Sequence, residues 1–231
     1  MRHLGRWLLW LLAVCIGALV LIQAWYAVQI WWWRDHAPHS TAFMAVRQAE
    51  PREHARPLRI AYVWVSYEQI SPHLKRAMIA AEDAKFVEHE GFDWDGIQQA
   101  LDRNYRKGRV VAGGSTITQQ LAKNLFLSSQ RSYWRKAEEA AITVMLEALL
   151  DKRRIFELYL NVIEWGDGVF GCEAASRRYF GMSARDLSAE QAARLAAMAP
   201  NPRYYERHPE ARGLARKISI ILARMPSAEL P

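Results

Sequence analysis

The pattern of apolar and polar residues divides the chain into an apolar N-terminal segment and a longer amphipathic part. Trp7 to Trp33 spans 27 residues without a charged side chain, and only Gln23 and Gln29 in it are clearly polar. As a helix this segment would be roughly 40 Å long, which exceeds the ~30 Å hydrocarbon core of a bilayer. Tryptophans at both ends suit the two membrane interfaces. We therefore predict a membrane anchor over residues 7–33.

A cleaved signal peptide is the alternative interpretation of this segment. The apolar region of a signal peptide is usually about 7–15 residues long and is followed by small residues at the cleavage site. Here Trp31-Trp32-Trp33-Arg34 follows instead, which favours an anchor that is kept. Basic residues lie on both sides of the segment, so charge alone leaves its orientation open.

After the anchor, the pattern predicts a polar linker and then a mostly helical domain with little sheet. Residues 34–57 are polar and interrupted by prolines, which is typical of a linker. Arg59 to Val65 alternates and is rich in β-branched and aromatic residues, which predicts a strand. The domain is therefore expected over residues 58–231.

N-cap residues mark the expected starts of helices. Ser71-Pro72 begins a helix that should end at Gly91. The predicted buried stripe of this helix is Leu74, Met78 and Ala81.

A second helix should begin at Thr116, which forms a capping-box pattern with Gln119. Its apolar face is Ile117, Leu121 and Leu125. Three more helices are predicted: residues 132–150, residues 154–162, and a capped helix from Ser188 to Pro200. Because residues 132–150 are apolar nearly all round, we expect a core helix there.

The chain is basic, with a formal net charge of +7. Without Arg2 and Arg6, which precede the anchor, 29 basic residues still outnumber 24 acidic ones. A basic domain tethered to a bilayer suggests anionic lipid head groups or phosphorylated substrates. Nucleic acid is not the expected partner, since zinc-finger spacing, basic-region heptads and RNP-like motifs are absent. Cys15 and Cys172 are too few for a disulfide framework and are not expected to meet.

A dense acidic stretch, Ala80 to Trp94, contains the first candidate site. Glu82 lies four residues after Met78 and therefore beside the buried stripe, where a carboxylate has a raised pKa and can accept a proton. His89 would lie in nearly the same direction if the helix continued. A solvated helix end is the alternative. A metal site is not expected, because H-E-x-x-H spacing and a second nearby histidine are absent.

Gly113 to Leu127 is the second candidate, since glycines before a helix N-terminus leave N–H groups free for an anion. The stretch is not a Walker loop, because no Gly-Lys-Ser/Thr follows. Gln120, Lys123 and Asn124 share one polar face. An ordinary amphipathic helix is the alternative interpretation.

The third candidate lies within residues 132–150, where Glu139 and Glu147 are carboxylates on a helix that should be largely buried. Arg135 precedes Glu139 by four residues, so a structural ion pair is one explanation. Acids and bases paired on a core helix are also how active sites are built.

Taken in order, four blocks resemble the peptidoglycan glycosyltransferases, the lysozyme-like glycosyltransferase family 51 that polymerises lipid II. The blocks are Glu82-Asp83-x-x-Phe86-x-x-His89-x-Gly91, Gly113-Gly114-Ser115-Thr116-Ile117-Thr118-Gln119-Gln120-Leu121-x-Lys123-Asn124, Arg135-Lys136-x-x-Glu139, and Ile155-x-Glu157-x-Tyr159-Leu160-Asn161. The likeness extends from about Ile60 to Met225. No Ser-x-x-Lys transpeptidase motif follows, so a monofunctional member of the family is expected.

The resemblance implies a mainly α, lysozyme-like, two-lobed glycosyltransferase domain with a minor β element, preceded by one transmembrane helix. It implies transfer of a glycan from a polyprenyl diphosphate to the 4-hydroxyl of an incoming disaccharide, with inversion to a β-1,4 bond. It also places residues 1–6 in the cytoplasm as a short tail and the catalytic domain in the periplasm, on the cell inner membrane.

By the same resemblance, Glu82 is the general base and Glu139 the second essential carboxylate. Glu138 and Glu147 leave some choice about the second carboxylate, and the family spacing after Arg135-Lys136 selects Glu139. Glu157 and Asn161 are expected to be structural. The implied substrate-binding residues are Asp83, Phe86, His89, Ser115, Thr116, Gln120, Lys123, Asn124, Arg135 and Lys136.

The expected partners are lipid II, the growing lipid-linked glycan chain, the cytoplasmic membrane, and division or elongation proteins. No cofactor is required by the sequence, although a divalent cation, Mg or Mn, is compatible with the chemistry. Two alternatives stay open: a lysozyme-like lytic enzyme that cleaves murein, and an inactive membrane scaffold. A lytic enzyme needs an acid but no phosphate-binding cations, so Lys123 with Arg135-Lys136 disfavours it.

Overall fold

The structure is a computed structural model that describes residues 2–51, 58–109, 113–128 and 132–231. It begins with α1 (Arg2–Trp32), and the part of α1 from Arg6 to Trp32 is long and apolar enough to cross a membrane. No other helix in the described ranges meets that condition. The helix agrees in position, length and composition with the anchor predicted over residues 7–33.

The C-terminal end of α1 is part of the domain core. Ile30 is fully buried and Trp33 nearly so. The Tyr26 hydroxyl donates a hydrogen bond to Glu138 Oε1 at 2.9 Å, and Arg154 Nε donates to the Trp33 carbonyl at 2.8 Å. Buried side chains and hydrogen bonds therefore join the C-terminal end of α1 to the domain.

The segment predicted as a linker contains a helix, α2 (Ala42–Ala49). Thr41 caps it by accepting a hydrogen bond from the Met44 N–H at 3.2 Å, and Phe43 and Met44 are buried against Phe170. Polar residues dominate the segment, but this short apolar face is enough to hold it on the domain. The predicted domain boundaries themselves stay a prediction.

Two groups of helices pack together in the domain. α3 packs against α9 and α11, and α5 packs against α6, α7 and α2. The helices that follow α2 are α3 (Pro72–Glu82), α4 (Trp94–Lys107), α5 (Ile117–Phe126), α6 (Tyr133–Leu149), α7 (Lys152–Val162), α8 (Cys172–Phe180), α9 (Ala189–Met198), α10 (Pro202–Arg207) and α11 (Leu214–Arg224). Short 3-10 turns occur at Tyr67–Gln69, Ala184–Asp186 and Met225–Ser227.

One small sheet completes the described fold, with β1 (Ala61–Tyr62), β2 (Glu164–Gly166) and β3 (Val169–Phe170) in the order β1-β3-β2. β1 is parallel to β3, with Ala61 opposite Val169, and β2 is antiparallel to β3. A strand therefore lies within the range predicted over residues 59–65, but it covers only Ala61–Tyr62. The expected fold class, mainly α with a minor β element and one N-terminal membrane helix, is confirmed.

The predicted helix starts at Ser71, Thr116, Ser132 and Ser188 are confirmed, whereas α7 begins at Lys152, two residues before the predicted start. Ser71 caps α3, and capping boxes begin α5 and α9. Cys15 and Cys172 are both free thiols, as expected. α4, α8, α10 and α11 were not predicted.

The predicted end of α3 is wrong, because α3 ends at Glu82 and not at Gly91. Asp83 leaves the helix and turns its carboxylate toward the N-terminus of α5, so the chain changes direction there. His89 therefore does not continue a helical face. Ala81 is exposed and not part of the buried stripe. Gly91 instead lies against α6 with φ +83°, where an added Cβ would be 2.7 Å from Thr143 Cγ2.

The prediction that α6 is a core helix buried on most sides is also wrong. Ile142 and Leu146 are fully buried, but Val144 is 57 % exposed and Ala141 is exposed as well. Neighbouring helices cover only part of the α6 surface, and the side carrying Val144 faces away from them. An apolar sequence alone does not tell which face of a helix is covered.

Candidate active site

The site is built around Glu82, the last residue of α3. Its Oε2 accepts a hydrogen bond from Gln120 Nε2 at 2.8 Å, and Gln120 Oε1 accepts one from the buried Tyr159 hydroxyl at 3.1 Å. Three helices, α3, α5 and α7, therefore fix the position of this carboxylate. Glu82 and Gln120 belong to different sequence motifs, and the fold brings them into contact.

Burial raises the pKa of Glu82, and the nearby charge of Asp83 adds to the increase. The hydrogen bond from Gln120 and the charges of Lys123 and Lys217 oppose it without cancelling it. A carboxylate with a raised pKa is a stronger base, and at neutral pH it is better matched to accepting a proton.

Three candidates that follow Glu82 in sequence line none of the cavities described below: Asp83, Phe86 and His89. Asp83 Oδ2 accepts the Ile117 N–H at 3.0 Å, one of the free donors at the start of α5. His89 Nε2 is 3.0 Å from Asp83 Oδ1. Phe86 is fully buried against the ring of Phe156. These contacts attach the end of α3 to α5 and so position Glu82.

The second carboxylate, Glu139 on α6, lies in a cluster of cations. Glu139 is only 3 % exposed. Its Oε2 accepts from Arg135 Nη1 at 2.7 Å, and its Oε1 accepts from Lys136 Nζ. Lys136 Nζ also lies 3.3 Å from Ser115 Oγ, in the segment before α5. The ion pair considered from sequence spacing is present, and Lys136 joins it.

These groups face a cavity of about 280 Å³, named here the cationic cavity. Its lining residues are Phe43, Ser115, Gln119, Gln120, Lys123, Arg135, Lys136 and Glu139. Three cations against one carboxylate leave a positive balance, which suits an anion such as a phosphate.

Lys123 connects the two carboxylates electrostatically. Burial lowers its pKa, and the charges of Arg135 and Lys136 lower it further. The charges of Glu139 and Glu82 act in the opposite direction and raise it. A half-buried ammonium in this position interacts with both carboxylates at once.

A second cavity of about 210 Å³ shares Phe43, Gln120 and Lys123 with the cationic cavity. It adds Arg47 from α2 and Glu164 from β2, which sequence analysis missed. Arg47 donates to Glu164 Oε2 from Nε at 3.0 Å and from Nη2 at 2.7 Å. The available signal was Thr41 as an N-cap before an apolar turn, which predicts a short helix.

The other candidates from the sequence have structural contacts. Thr116 caps α5 and donates to the Gly91 carbonyl at 2.7 Å, and Asn124 donates to the Gln120 carbonyl at 2.8 Å while also lining the second cavity. Glu147 binds Thr118 and Lys152 away from these cavities. Glu157 accepts the Tyr67 N–H at 2.8 Å and Asn161 braces the backbone at Val65, as expected for structural residues.

No group of three or more His, Cys, Asp and Glu side chains that could hold a metal ion occurs within the described part of the chain. Glu139, the carboxylate considered for a divalent ion, has both oxygens bound by Arg135 and Lys136. The residues present therefore do not form a metal-binding set around it.

Comparison with known proteins gives a consistent result. Residues 54–226 match the family model described as Transglycosylase. The chain is 60 % identical to a biosynthetic peptidoglycan transglycosylase of Dechloromonas aromatica over 100 % of both chains. It is 60 % identical to the protein of that name from Methylobacillus flagellatus, over 95 % of this chain and 96 % of the relative. It is 58 % identical to the protein of that name from Chromobacterium violaceum, over 99 % of this chain and 100 % of the relative. The resemblance drawn from the four motifs is confirmed, and the chain belongs to the transglycosylase family.

Proposed function

We propose that this enzyme polymerises lipid II into β-1,4-linked glycan strands of peptidoglycan and releases polyprenyl diphosphate. Its relatives carry the name biosynthetic peptidoglycan transglycosylase, which supports the reaction class. The observation that carries the proposal is the pairing of one carboxylate that lacks a direct cation, Glu82, with a cationic cavity around a second, Glu139.

The reaction needs a base at one end and cations at the other. Glu82 takes the proton from the 4-hydroxyl of the acceptor sugar while that oxygen forms a bond to C1 of the donor sugar. The bond between C1 and the diphosphate oxygen breaks, and its electron pair leaves with the polyprenyl diphosphate. Attack opposite the leaving group inverts the donor's α-linkage to a β-linkage.

The leaving group requires charge neutralisation more than a proton, and the cationic cavity supplies it. Lys123, Arg135 and Lys136 would bind the diphosphate, while Glu139 holds Arg135 and Lys136 in place. A glycoside hydrolase would instead need a carboxylic acid to protonate the leaving oxygen. Both oxygens of Glu139 accept hydrogen bonds from cations, which leaves neither to carry such a proton.

The location follows from the substrate. Lipid II is held in the cytoplasmic membrane, and α1 would anchor the enzyme in that membrane as a single-pass protein. We propose residues 1–6 on the cytoplasmic side and the domain in the periplasm, where the glycan strand is assembled. Division or elongation proteins are candidate partners at this site.

The enzyme needs no resident cofactor under this proposal, and no step runs through a metal ion. A divalent cation, Mg²⁺ or Mn²⁺, would have to come with the diphosphate. Polymerisation measured with and without a chelator tests this point.

The test of the function uses two substrates. The purified full-length enzyme is incubated with lipid II and, separately, with murein sacculi, and the products are separated by size. We expect polymer from lipid II and intact sacculi. Shortened sacculi without polymer would establish the lytic alternative, and neither product would favour an inactive scaffold.

A further inference from the structure

A third cavity lies next to the candidate site, where β2, α8 and α10 meet. Its volume is about 490 Å³, which exceeds that of either cavity of the site. The described residues of its lining are all charged, and we name it the arginine pocket: Asp167, Arg178, Arg203, Glu206 and Arg207. Arg203 also lines the second cavity. A branch of a molecule bound in the second cavity can therefore reach the arginine pocket.

The turn between β2 and β3 fixes the acidic part of the pocket. Glu206 Oε2 accepts a hydrogen bond from the Asp167 N–H at 2.7 Å. Gly166 permits this close approach, because an added Cβ there would lie 3.1 Å from Glu206 Oε2 and would clash with the Tyr179 hydroxyl. The fold therefore holds Glu206 against the backbone of the turn, with the Asp167 side chain beside it.

The arginines of the pocket are only partly neutralised. Arg203 Nε lies 3.4 Å from Asp167 Oδ1, and Arg178 Nη2 lies 3.4 Å from Glu206 Oε1. Arg207 Nε donates to the Arg203 carbonyl at 3.1 Å. Across the part of the chain that the structure describes, no carboxylate forms an ion pair with Arg207. Three guanidinium groups thus face two carboxylates, and one positive charge is left for a ligand.

The chemistry of the pocket favours a carboxylate as that ligand. Ion pairs between exposed groups are weak, so Arg178 can turn toward an incoming anion together with Arg207. A guanidinium group binds a carboxylate through two parallel hydrogen bonds. Among the described lining residues none is apolar, so a polyprenyl chain does not fit there. The diphosphate is attached to that chain and has its place in the cationic cavity.

We propose that the arginine pocket binds a carboxylate of the peptide that lipid II carries on the sugar next to its diphosphate, with Arg207 and Arg178 as the ligands. This inference rests on the proposed function. A peptide of about five residues spans up to ~17 Å when extended, which lets it pass from a sugar in the second cavity along Arg203 into the pocket. The pocket therefore distinguishes a substrate with its peptide from a bare lipid-linked glycan.

The experiment compares two substrates that differ only in the peptide. The full-length enzyme receives either lipid II or the same lipid-linked disaccharide with a simple amide in place of the peptide. The initial rate of polymerisation is measured at varied concentration. We expect the KM to be about tenfold lower for lipid II, ~1.4 kcal/mol in binding. Arg207→Ala should raise the KM for lipid II to that of the peptide-free substrate. Arg207→Lys should restore only part of the difference, because lysine lacks the planar fork.

Arg185→Ala is the matched control, because it removes an exposed arginine that lies outside the lining of the pocket. It should keep the full preference for lipid II. Equal KM values for the two substrates in the unmodified enzyme would overturn the assignment. So would a full preference in Arg207→Ala, or an equal loss of preference in Arg185→Ala. A rise of the KM for both substrates in Arg207→Ala would also overturn it, since the arginine would then act on the glycan.

Direct binding separates this assignment from the proposed function. A soluble muramyl peptide, inorganic phosphate and an unrelated acidic peptide are each titrated into the full-length enzyme in detergent, and the heat of binding is measured. We expect the muramyl peptide to bind about tenfold more tightly than the other two, and Arg207→Ala to remove that difference. Equal binding of phosphate would indicate a general anion site, and equal binding of the acidic peptide a protein partner. Either result would overturn the assignment. An enzyme that binds the muramyl peptide through Arg207 but makes no polymer would overturn the proposed function and leave the peptide site standing.

Discussion

Glu82 and Glu139 are two carboxylates of the candidate site with opposite surroundings. The hydrogen bond that holds Glu82 comes from a neutral amide, that of Gln120. Glu139 is more deeply buried and is bound directly by two cations, Arg135 and Lys136. Burial without a direct cation raises the pKa of Glu82, whereas Glu139 forms ion pairs with two cations. Contact partners, more than burial, therefore distinguish the proposed base Glu82 from Glu139, which we propose holds two cations in place.

The largest expected effect is at Glu82. Glu82→Gln removes the base while keeping the size of the side chain, so polymerisation of lipid II should fall by about a thousandfold. The thermal midpoint should change little, since no ion pair is lost. Rate and thermal unfolding are measured on the same preparation. Polymerisation that survives this change would show that Glu82 is not the base.

Glu139→Gln comes next and tests the other half of the comparison. Without the carboxylate, Arg135 and Lys136 lose the partner that orients them, so we expect about a hundredfold loss of polymerisation. The acidic limb of the pH profile should stay near that of the unmodified enzyme, because Glu82 is untouched. A Glu139→Gln enzyme that loses a limb of the profile would indicate that Glu139 transfers a proton.

Lys123→Ala should weaken both regions, because Lys123 interacts with both carboxylates. We expect about tenfold weaker inhibition by a phosphoglycolipid that mimics the donor, since one of three cations is lost. The pKa of Glu82 should rise further when this positive charge is removed, so activity should be lost at a higher pH as the solution is acidified. Lys85→Ala, an exposed cation paired with Asp95, is the control. Unchanged inhibition would contradict a diphosphate site at Lys123.

The smallest effect is expected at Glu138, the neighbour of Glu139 in sequence. Glu138 accepts a hydrogen bond from Tyr26 in α1 and lines neither the cationic cavity nor the second cavity. Glu138→Gln keeps an acceptor for Tyr26, so polymerisation should change less than about threefold. A loss as large as that of Glu139→Gln would remove the distinction between the two residues.

Much of the local structure was predictable from short-range signals. Thr116 with Gln119 and Ser188 with Gln191 marked helix starts, because a capping box is complete within four residues. The apolar face of α5 was predictable because its apolar residues recur at helical spacing. The end of α3 was not predictable in this way, since Asp83 leaves the helix to bind the Ile117 N–H, 34 positions away in sequence. α2 was missed because its few apolar residues are stabilised by contacts with β3 and α5.

By itself the sequence determined the long apolar N-terminal helix, the helical class and the family, and it led to the proposed site residues. These depend on residue type and spacing, which are written along the chain. Only the tertiary structure decided which of those residues meet. It placed Gln120 on Glu82, left Asp83, Phe86 and His89 outside the lining of the two cavities of the candidate site, and brought Phe43 and Arg47 to them. The physical reason is that burial, hydrogen-bond partners and charge neighbours arise between helices that are distant in sequence, and these set the role of each carboxylate.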